Sequence, residues 1–258
     1  AQKYFNVDQA RVVVTGKGVD VLDNLEKVQF NGNYLPINYY DKYGMSIERP
    51  QKLAVADGVT AESVLKSFIE NTGVNKMSDL KTIKLVYKGT FMQMAIEVKE
   101  TYSTTSQEQV ISVGGNPMMT SVVSAEGAFM KQGANQMDLP KVIYDDLKKS
   151  LGVISEIGLL ASGEAVLEGI ETVNDTKAYV IKVPGVGVSY TNYYSIETGM
   201  KIKESKLVNF NGQMQTNNTN YANYKELSSL MMPGEKSFDL GGQEISLTLE
   251  EVIVSPDK

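Results

Sequence analysis

Between Tyr190 and Tyr224 the chain reads YTNYYSIETGMKIKESKLVNFNGQMQTNNTNYANY, a run that can fold in few ways. Stretches rich in Tyr, Thr, Asn and Val are interrupted by Glu197-Thr198-Gly199 and by Asn211-Gly212. The second interruption is a two-residue turn of the kind that needs positive φ, so three consecutive antiparallel strands are predicted. A meander of this sort must bury one face, which calls for more sheet and a covering layer.

What the chain lacks narrows its chemistry. It has no His, no Cys and no Trp in 258 residues. Ser–His triads, Cys–His dyads, disulfides and His- or thiolate-ligated zinc are therefore excluded within it. The formal net charge is −6, and no cluster of Lys and Arg is concentrated enough to track phosphates, so nucleic acid is not an expected partner. No run of about 18 apolar residues predicts a membrane-spanning helix. No cofactor or metal is predicted. The opening AQKYFNVDQA has no initiator Met, which suggests a removed leader or an upstream domain.

Three segments follow in order. Residues 1–48 predict strand, helix and strand: an apolar run from Ala10 to Thr15, then Val21, Leu22, Leu25 and Val28 at helical spacing, then Ile37 to Asp41. A piece this small cannot cover its own faces, so it docks on a neighbour or ends a larger domain. Residues 49–59 are polar and small and read as a linker. Residues 60–258 open with a helix, N-capped by Thr60 and stopped at Gly73, whose apolar face is Val64, Leu65, Phe68 and Ile69.

Strands dominate from there on. In FMQMAIEVK, Met92, Met94, Ile96 and Val98 are expected to share one face, with Gln93, Glu97 and Lys99 on the other. Asp138 is the expected N-cap of a second helix carrying Leu139, Ile143, Leu147 and Leu151 along one stripe, with Gly152 as its stop. Ile245, Leu247 and Leu249 alternate, and the phase slip at Glu250-Glu251 before Val252 predicts a bulge. About ten or eleven strands and two helices result. The predicted fold is mostly β (α+β), a curved antiparallel half-barrel covered by helices, with a small N-terminal strand–helix–strand piece.

Two stretches resemble known families. The helix ending NTG before KTIKLVYKG, the helix opened by DLP, LEGIETVNDTKAYVIKV, YYSIETGMKIKES and YANYKEL together resemble the periplasmic carriers that sort lipoproteins to the bacterial outer membrane, in their Bacteroidetes-type form. The resemblance implies a periplasmic or outer-membrane-associated half-barrel whose concave apolar face holds an acyl chain, a lipoprotein or an apolar peptide. On this sequence it implies a cavity lined by Met92, Met94, Ile96 and Val98, with Phe68, Ile143 and Leu147 from the helices. Residues 4–44, with YFNVDQARVVVTGKGVDVLDNLEKV and then YYDKYG, are similar to the end of the non-catalytic region of insulinase-type (pitrilysin-type) zinc peptidases. Such peptidases bind zinc through an HxxEH helix that has no counterpart here, so the similarity implies an accessory role, without catalysis, beside an upstream peptidase-like domain.

Other candidate sites have simpler explanations. Twelve methionines suit a cavity that repacks around variable chains, but ordinary core filling and loop positions explain them somewhat better. Tyr190, Tyr193, Tyr194, Tyr221 and Tyr224 with their neighbouring asparagines suit a glycan-binding surface, but cross-strand pairs on a half-solvated sheet are the better reading. Asp145-Asp146 and Glu250-Glu251 point in different directions along their elements, which favours a solvated face over paired acids or metal ligands. An empty apolar hollow of ~500 Å³ costs about 12 kcal/mol, comparable with a domain's whole stability. The concave face must therefore be filled by side chains or by a ligand.

Overall fold

The structure is a computed structural model that describes residues 11–16, 18–41, 43–50, 53–210 and 212–256. The chain divides into two compact units, Ala1–Leu53 and Ala54–Lys258. In the first, the helical spacing around Leu22 produces α1 (Gly18–Leu25). Asn31 and Gly32, with φ of 51° and 82°, close a hairpin of β1 (Gln29–Phe30) and β2 (Asn33–Tyr34). Positive φ at both turn residues matches the twist of the flanking strands.

The two longer strands expected in this unit do not form. Residues 11–15 join no ladder among the described residues, and from Ile37 to Asp41 only Tyr40 bridges, to Ser46. Ala10 and the rest of the second resemblance before it lie outside the described residues. Arg49 ties α1 to the end of the unit through Glu26 at 2.6 Å and Asp23 at 2.9 Å. Little is buried here: among the described residues Leu22 is the unit's one buried large apolar side chain.

The second unit is built on one curved antiparallel sheet of thirteen strands that does not close into a barrel. In chain order the strands are β3 (Leu80–Phe91), β4 (Met94–Ser103), β5 (Ser106–Val113), β6 (Asn116–Ser124), β7 (Ala128–Gln132), β8 (Asn135–Asp138), β9 (Val166–Val173), β10 (Thr176–Val183), β11 (Val188–Ser195), β12 (Lys201–Phe210), β13 (Gln213–Ala222), β16 (Glu235–Leu240) and β17 (Gln243–Pro256), with a separate small hairpin of β14 (Lys225–Leu227) and β15 (Leu230–Met232) between β13 and β16. Across the sheet the order is β8-β7-β6-β5-β4-β3-β17-β16-β13-β12-β11-β10-β9. The predicted meander is β11, β12 and β13. Gly199 and Gly212 take positive φ in its loops, while Asn211 is outside the described residues. The predicted bulge is present too, as the register of β17 on β3 shifts between Leu249 and Glu251.

Three helices pack on one face of the sheet, one more than the sequence suggested. In α2 (Ala61–Thr72) the Thr60 side chain accepts from the Ser63 N–H while the Ser63 hydroxyl accepts from the Thr60 N–H, and Gly73 ends the helix at φ 79°. These reciprocal bonds satisfy two of the helix's otherwise unpaired donors. α3 (Lys141–Leu147) starts at Pro140, not at Asp138, which instead ends β8; it tightens into a 3-10 turn, Lys148–Ser150. α4 (Ser155–Ser162) follows directly, where the sequence predicted only a break at Gly152. Its Gly158 permits the close approach, since a Cβ there would lie 2.5 Å from the Leu151 carbonyl oxygen.

Apolar side chains gather in two clusters. One joins Ile83, Leu85, Tyr87, Ile96, Val98, Leu230, Met232, Ile245, Leu247 and Leu249 across β3–β4, β15 and β17. The other joins Leu65 and Phe68 of α2 and Ile143 and Leu147 of α3 with Ile181, Val188, Tyr190 and Tyr194 of β10 and β11. Asp146, predicted on a solvated face, is buried: its Oδ2 accepts from the Gly187 and Val188 N–H groups at 2.8 and 3.0 Å, fastening α3 to the start of β11. Burial pushes its carboxyl up, but those backbone donors and Lys149 hold it below the usual range.

Candidate functional site

The face toward the helices is the candidate site, and its residues follow from strand alternation and register. On β11, Tyr190, Asn192 and Tyr194 point inward; they pair with Lys206, Glu204 and Lys201 of β12. On β4, Ile96, Val98 and Glu100 point inward, opposite Gly89, Tyr87 and Leu85 of β3 and Val113, Ile111 and Gln109 of β5. The two series belong to one face, connected through Tyr221, Lys236 and Leu247. The Phe68 and Tyr194 rings meet in a T-shaped contact with centroids 5.4 Å apart, so α2 lies directly over this surface.

Across its middle, the inner face is polar, which sequence reasoning missed. Lys236 bonds to Glu100 at 2.5 Å with both side chains under a tenth exposed, and Tyr102 and Gln109 donate to the same carboxylate. Lys201 pairs with Glu156 of α4 at 2.8 Å and with Glu204 at 3.3 Å, and Tyr194 donates to Glu156. Tyr221 lies between the two ammonium groups, its ring centroid 5.1 Å from Lys201 Nζ and 5.5 Å from Lys236 Nζ. Burial opposes charge on Glu100, yet the Lys236 ammonium and the hydrogen bonds outweigh it and hold the carboxyl below its ordinary value. Burial likewise works against the Lys201 ammonium, but the Glu156 and Glu204 carboxylates raise it well above the usual lysine range.

A signal for this network was available. Glu100 occupies the next inward position after Met94, Ile96 and Val98, and Lys236 precedes Phe238 and Leu240 in phase. A charge on the apolar phase of a strand calls for a buried partner. The partners stand far apart in sequence, so alternation flags the charges without pairing them.

The seven residues expected to line a cavity fall into separate groups. Met92 sits with Gln93 in the tight turn between β3 and β4, at φ 48° and 63% exposed, so it is not on the face shared by Met94, Ile96 and Val98. Ile96 and Val98 belong to the first apolar cluster; Phe68, Ile143 and Leu147 belong to the second. Met94 is 47% exposed above Ile96 and pairs with Phe91.

Around Met94 the inner face is open. The antiparallel order brings the turns at 92–93, 114–115 and 241–242 to one end of the sheet. There Phe91, Val113, Met118, Met119, Phe238 and Leu240 are only partly buried against the first cluster. Of the twelve methionines only Met232 is buried. Tyr190, Asn192 and Tyr194 are buried, so three members of the possible glycan patch are covered in this structure. Elsewhere in this unit an open groove of about 480 Å³ runs between Thr60, Glu62 and Leu65 of the α2 region and Leu159, Leu160 and Ala165 after α4. Among the described residues no group of three acidic side chains is placed to hold a metal ion, and no helix is long and apolar enough to cross a membrane.

No family model matches the chain, and no curated protein does. Solved structures give a match of fold. The chain is similar to the LolA superfamily protein NE2245 from Nitrosomonas europaea, with a TM-score of 0.50 and 12% identity over 78% of this chain and 96% of that one. It is also similar to a DUF1329 family protein from Desulfovibrio piger, with a TM-score of 0.45 and 6% identity over 75% and 92% of the two chains. The fold is thus LolA-like, an unclosed curved sheet with helices against its inner face.

Proposed function

We propose that the second unit is a non-catalytic, carrier-like binding domain that takes an acyl chain, as a free lipid or as the lipid of a lipoprotein, on the open end of its inner face. The observation that carries this reading is the group Phe91, Met94, Val113, Met118, Met119, Phe238 and Leu240, which turns apolar surface inward without burying it fully. Flexible thioethers among aromatic and branched side chains adapt to a chain of variable shape. Burying a 14-carbon chain returns on the order of 11 kcal/mol gross, enough to offset the ordering of both partners. The LolA-like fold favours a periplasmic or outer-membrane-associated setting, and the motifs from NTG to YANYKEL favour the Bacteroidetes-type branch. The test is denaturing extraction and mass spectrometry, followed by titration of the delipidated protein with oleyl alcohol. A copurifying lipid and a raised Tm on titration are expected; clean protein with no thermal response would defeat the reading.

One observation favours a second role for the first unit. Eleven large apolar side chains there are exposed among the described residues, with Val12 and Val13 more than four-fifths accessible. Exposure on that scale suits a segment packed on a further α/β domain, such as the non-catalytic region of an insulinase-type peptidase. A continuous reading frame carrying an HxxEH helix supports the accessory role; a signal peptide directly before residue 1 removes it.

A further inference from the structure

Three lysines face inward from β12 and β16, and they are not equivalent. Lys236 is paired with Glu100, and Lys201 with Glu156 and Glu204. Lys206 is partly buried between the two strands that flank β12, opposite Tyr190 on one side and Asn217 on the other. It has no carboxylate within ion-pair distance and no hydrogen-bond partner among the described residues. Its nearest aromatic neighbour is the Tyr190 ring, 5.8 Å from Nζ to centroid. Burial lowers its pKa, and the nearby Glu204 only partly opposes that shift.

Its diagonal neighbour on β11 is Asn192, which is fully buried, and neither Nδ2 nor Oδ1 has a hydrogen-bond partner among the described residues. Buried amides are almost always bonded, so an unmatched donor and acceptor beside an unpaired ammonium mark a place suited to an outside polar group. The surroundings say which kind. Along β12 the next inward residues, Val208 and Phe210, are apolar and partly buried, whereas Gln215 and Gln213 opposite them on β13, like Asn217 opposite Lys206, are exposed amides. Lys206 thus stands where the polar middle of the inner face gives way to mixed apolar and amide surface.

We propose that Lys206, backed by the amide of Asn192, is the head-group site of the inner face and selects an amphiphile bearing an oxyanion, a carboxylate or a phosphate. The inference rests on the acyl-chain reading above and adds the charge that the ligand must carry. Asn192 Nδ2 donates to the oxyanion and Oδ1 accepts from a hydroxyl or N–H beside it, while the Lys206 ammonium supplies the counter-charge.

The experiment measures binding to the delipidated full chain of oleate, oleoyl lysophosphatidate, uncharged oleyl alcohol and inorganic phosphate. Wild-type protein is expected to bind one or both anionic amphiphiles about tenfold more tightly than oleyl alcohol, as a charge-assisted hydrogen bond to a partly buried ammonium implies. Lys206→Met removes that preference by weakening the anionic amphiphiles to the level of oleyl alcohol, while Lys206→Arg retains it. Because Lys206 has no internal ion pair, Lys206→Met keeps the Tm of the ligand-free protein, which a structural lysine would not. Equal affinity of wild type for oleate, lysophosphatidate and the alcohol, or a preference that survives in Lys206→Met, overturns the head-group site and leaves the carrier reading standing. Tight binding of inorganic phosphate alone, without any amphiphile preference, overturns it in favour of a free-anion site. No binding of any probe defeats both readings together.

Discussion

The two ends of the inner sheet face are made of similar residues and end up in opposite states. At the helix end, Leu85, Tyr87, Val98 and Leu249 are sealed, joined to Leu230 and Met232 and bordered by the Glu100–Lys236 pair. At the hairpin end, Phe91, Met94, Val113 and Leu240 continue the same alternation and stay partly exposed. Strand pattern alone does not distinguish them. What differs is the layer above, because helices and the β14–β15 hairpin cover one end. A sheet that buries all of its inner face is a core, and one that leaves the end of several strands partly uncovered has a surface to offer.

This contrast predicts that substitutions at the two ends behave differently. The largest effect is expected at the buried pair. Lys236→Met leaves Glu100 charged and unpaired inside the sheet and should cost about 3–5 kcal/mol in urea unfolding, whereas Glu100→Gln combined with Lys236→Met should recover part of the loss. The pH dependence carries a sign. Because the folded pKa of Glu100 is lowered, its contribution is complete above the ordinary glutamate pKa and is lost as pH falls through the lower folded value. In Lys236→Met the ammonium is gone and burial is opposed only by the Tyr102 and Gln109 hydrogen bonds, so that pKa rises and the deficit should shrink on acidification instead of growing.

Next comes a pair of truncations, one in the covered cluster and one at the open end. Leu230→Ala, at a fully buried site, should lower stability by about 2–5 kcal/mol. Met94→Ala, at a half-exposed site, should change it by less than about 0.5 kcal/mol. Similar losses from the two would erase the distinction between the ends. Asp146→Ala should cost about 1–3 kcal/mol by stranding the Gly187 and Val188 N–H groups, and hydrogen exchange at those two amides should quicken. Thr60→Ala should cost about 1 kcal/mol, from a lost cap at the start of α2.

Much of the sheet was legible because its signals are local. The Thr60 and Gly73 caps, the Gly-marked turns of the meander and the phase slip at Glu250-Glu251 each depend on residues within a few positions of one another. α4 was not legible. Eight residues with Ile157, Leu159 and Leu160 around a glycine show no single apolar face, and its cap at Ile154 makes no side-chain hydrogen bond. The polar middle escaped for another reason: Glu100 and Lys236 meet across 136 positions, and nothing local links them. Met92 shows the limit of alternation itself. Its phase with Met94 was right for a continuous strand, but positive φ at Met92 and Gln93 turns the chain there and carries the side chain off the shared face.

The most direct test attaches a photoreactive diazirine to the tail of an oleyl alcohol analogue, crosslinks it to the delipidated protein and maps the adducts by peptide mass spectrometry. Adducts confined to the residues around 91–94, 113–119 and 238–240 are expected if the hairpin end receives the chain. Adducts concentrated on α2 and α4, around the groove beside Leu65 and Leu159, or an even scatter over the whole surface, would contradict it.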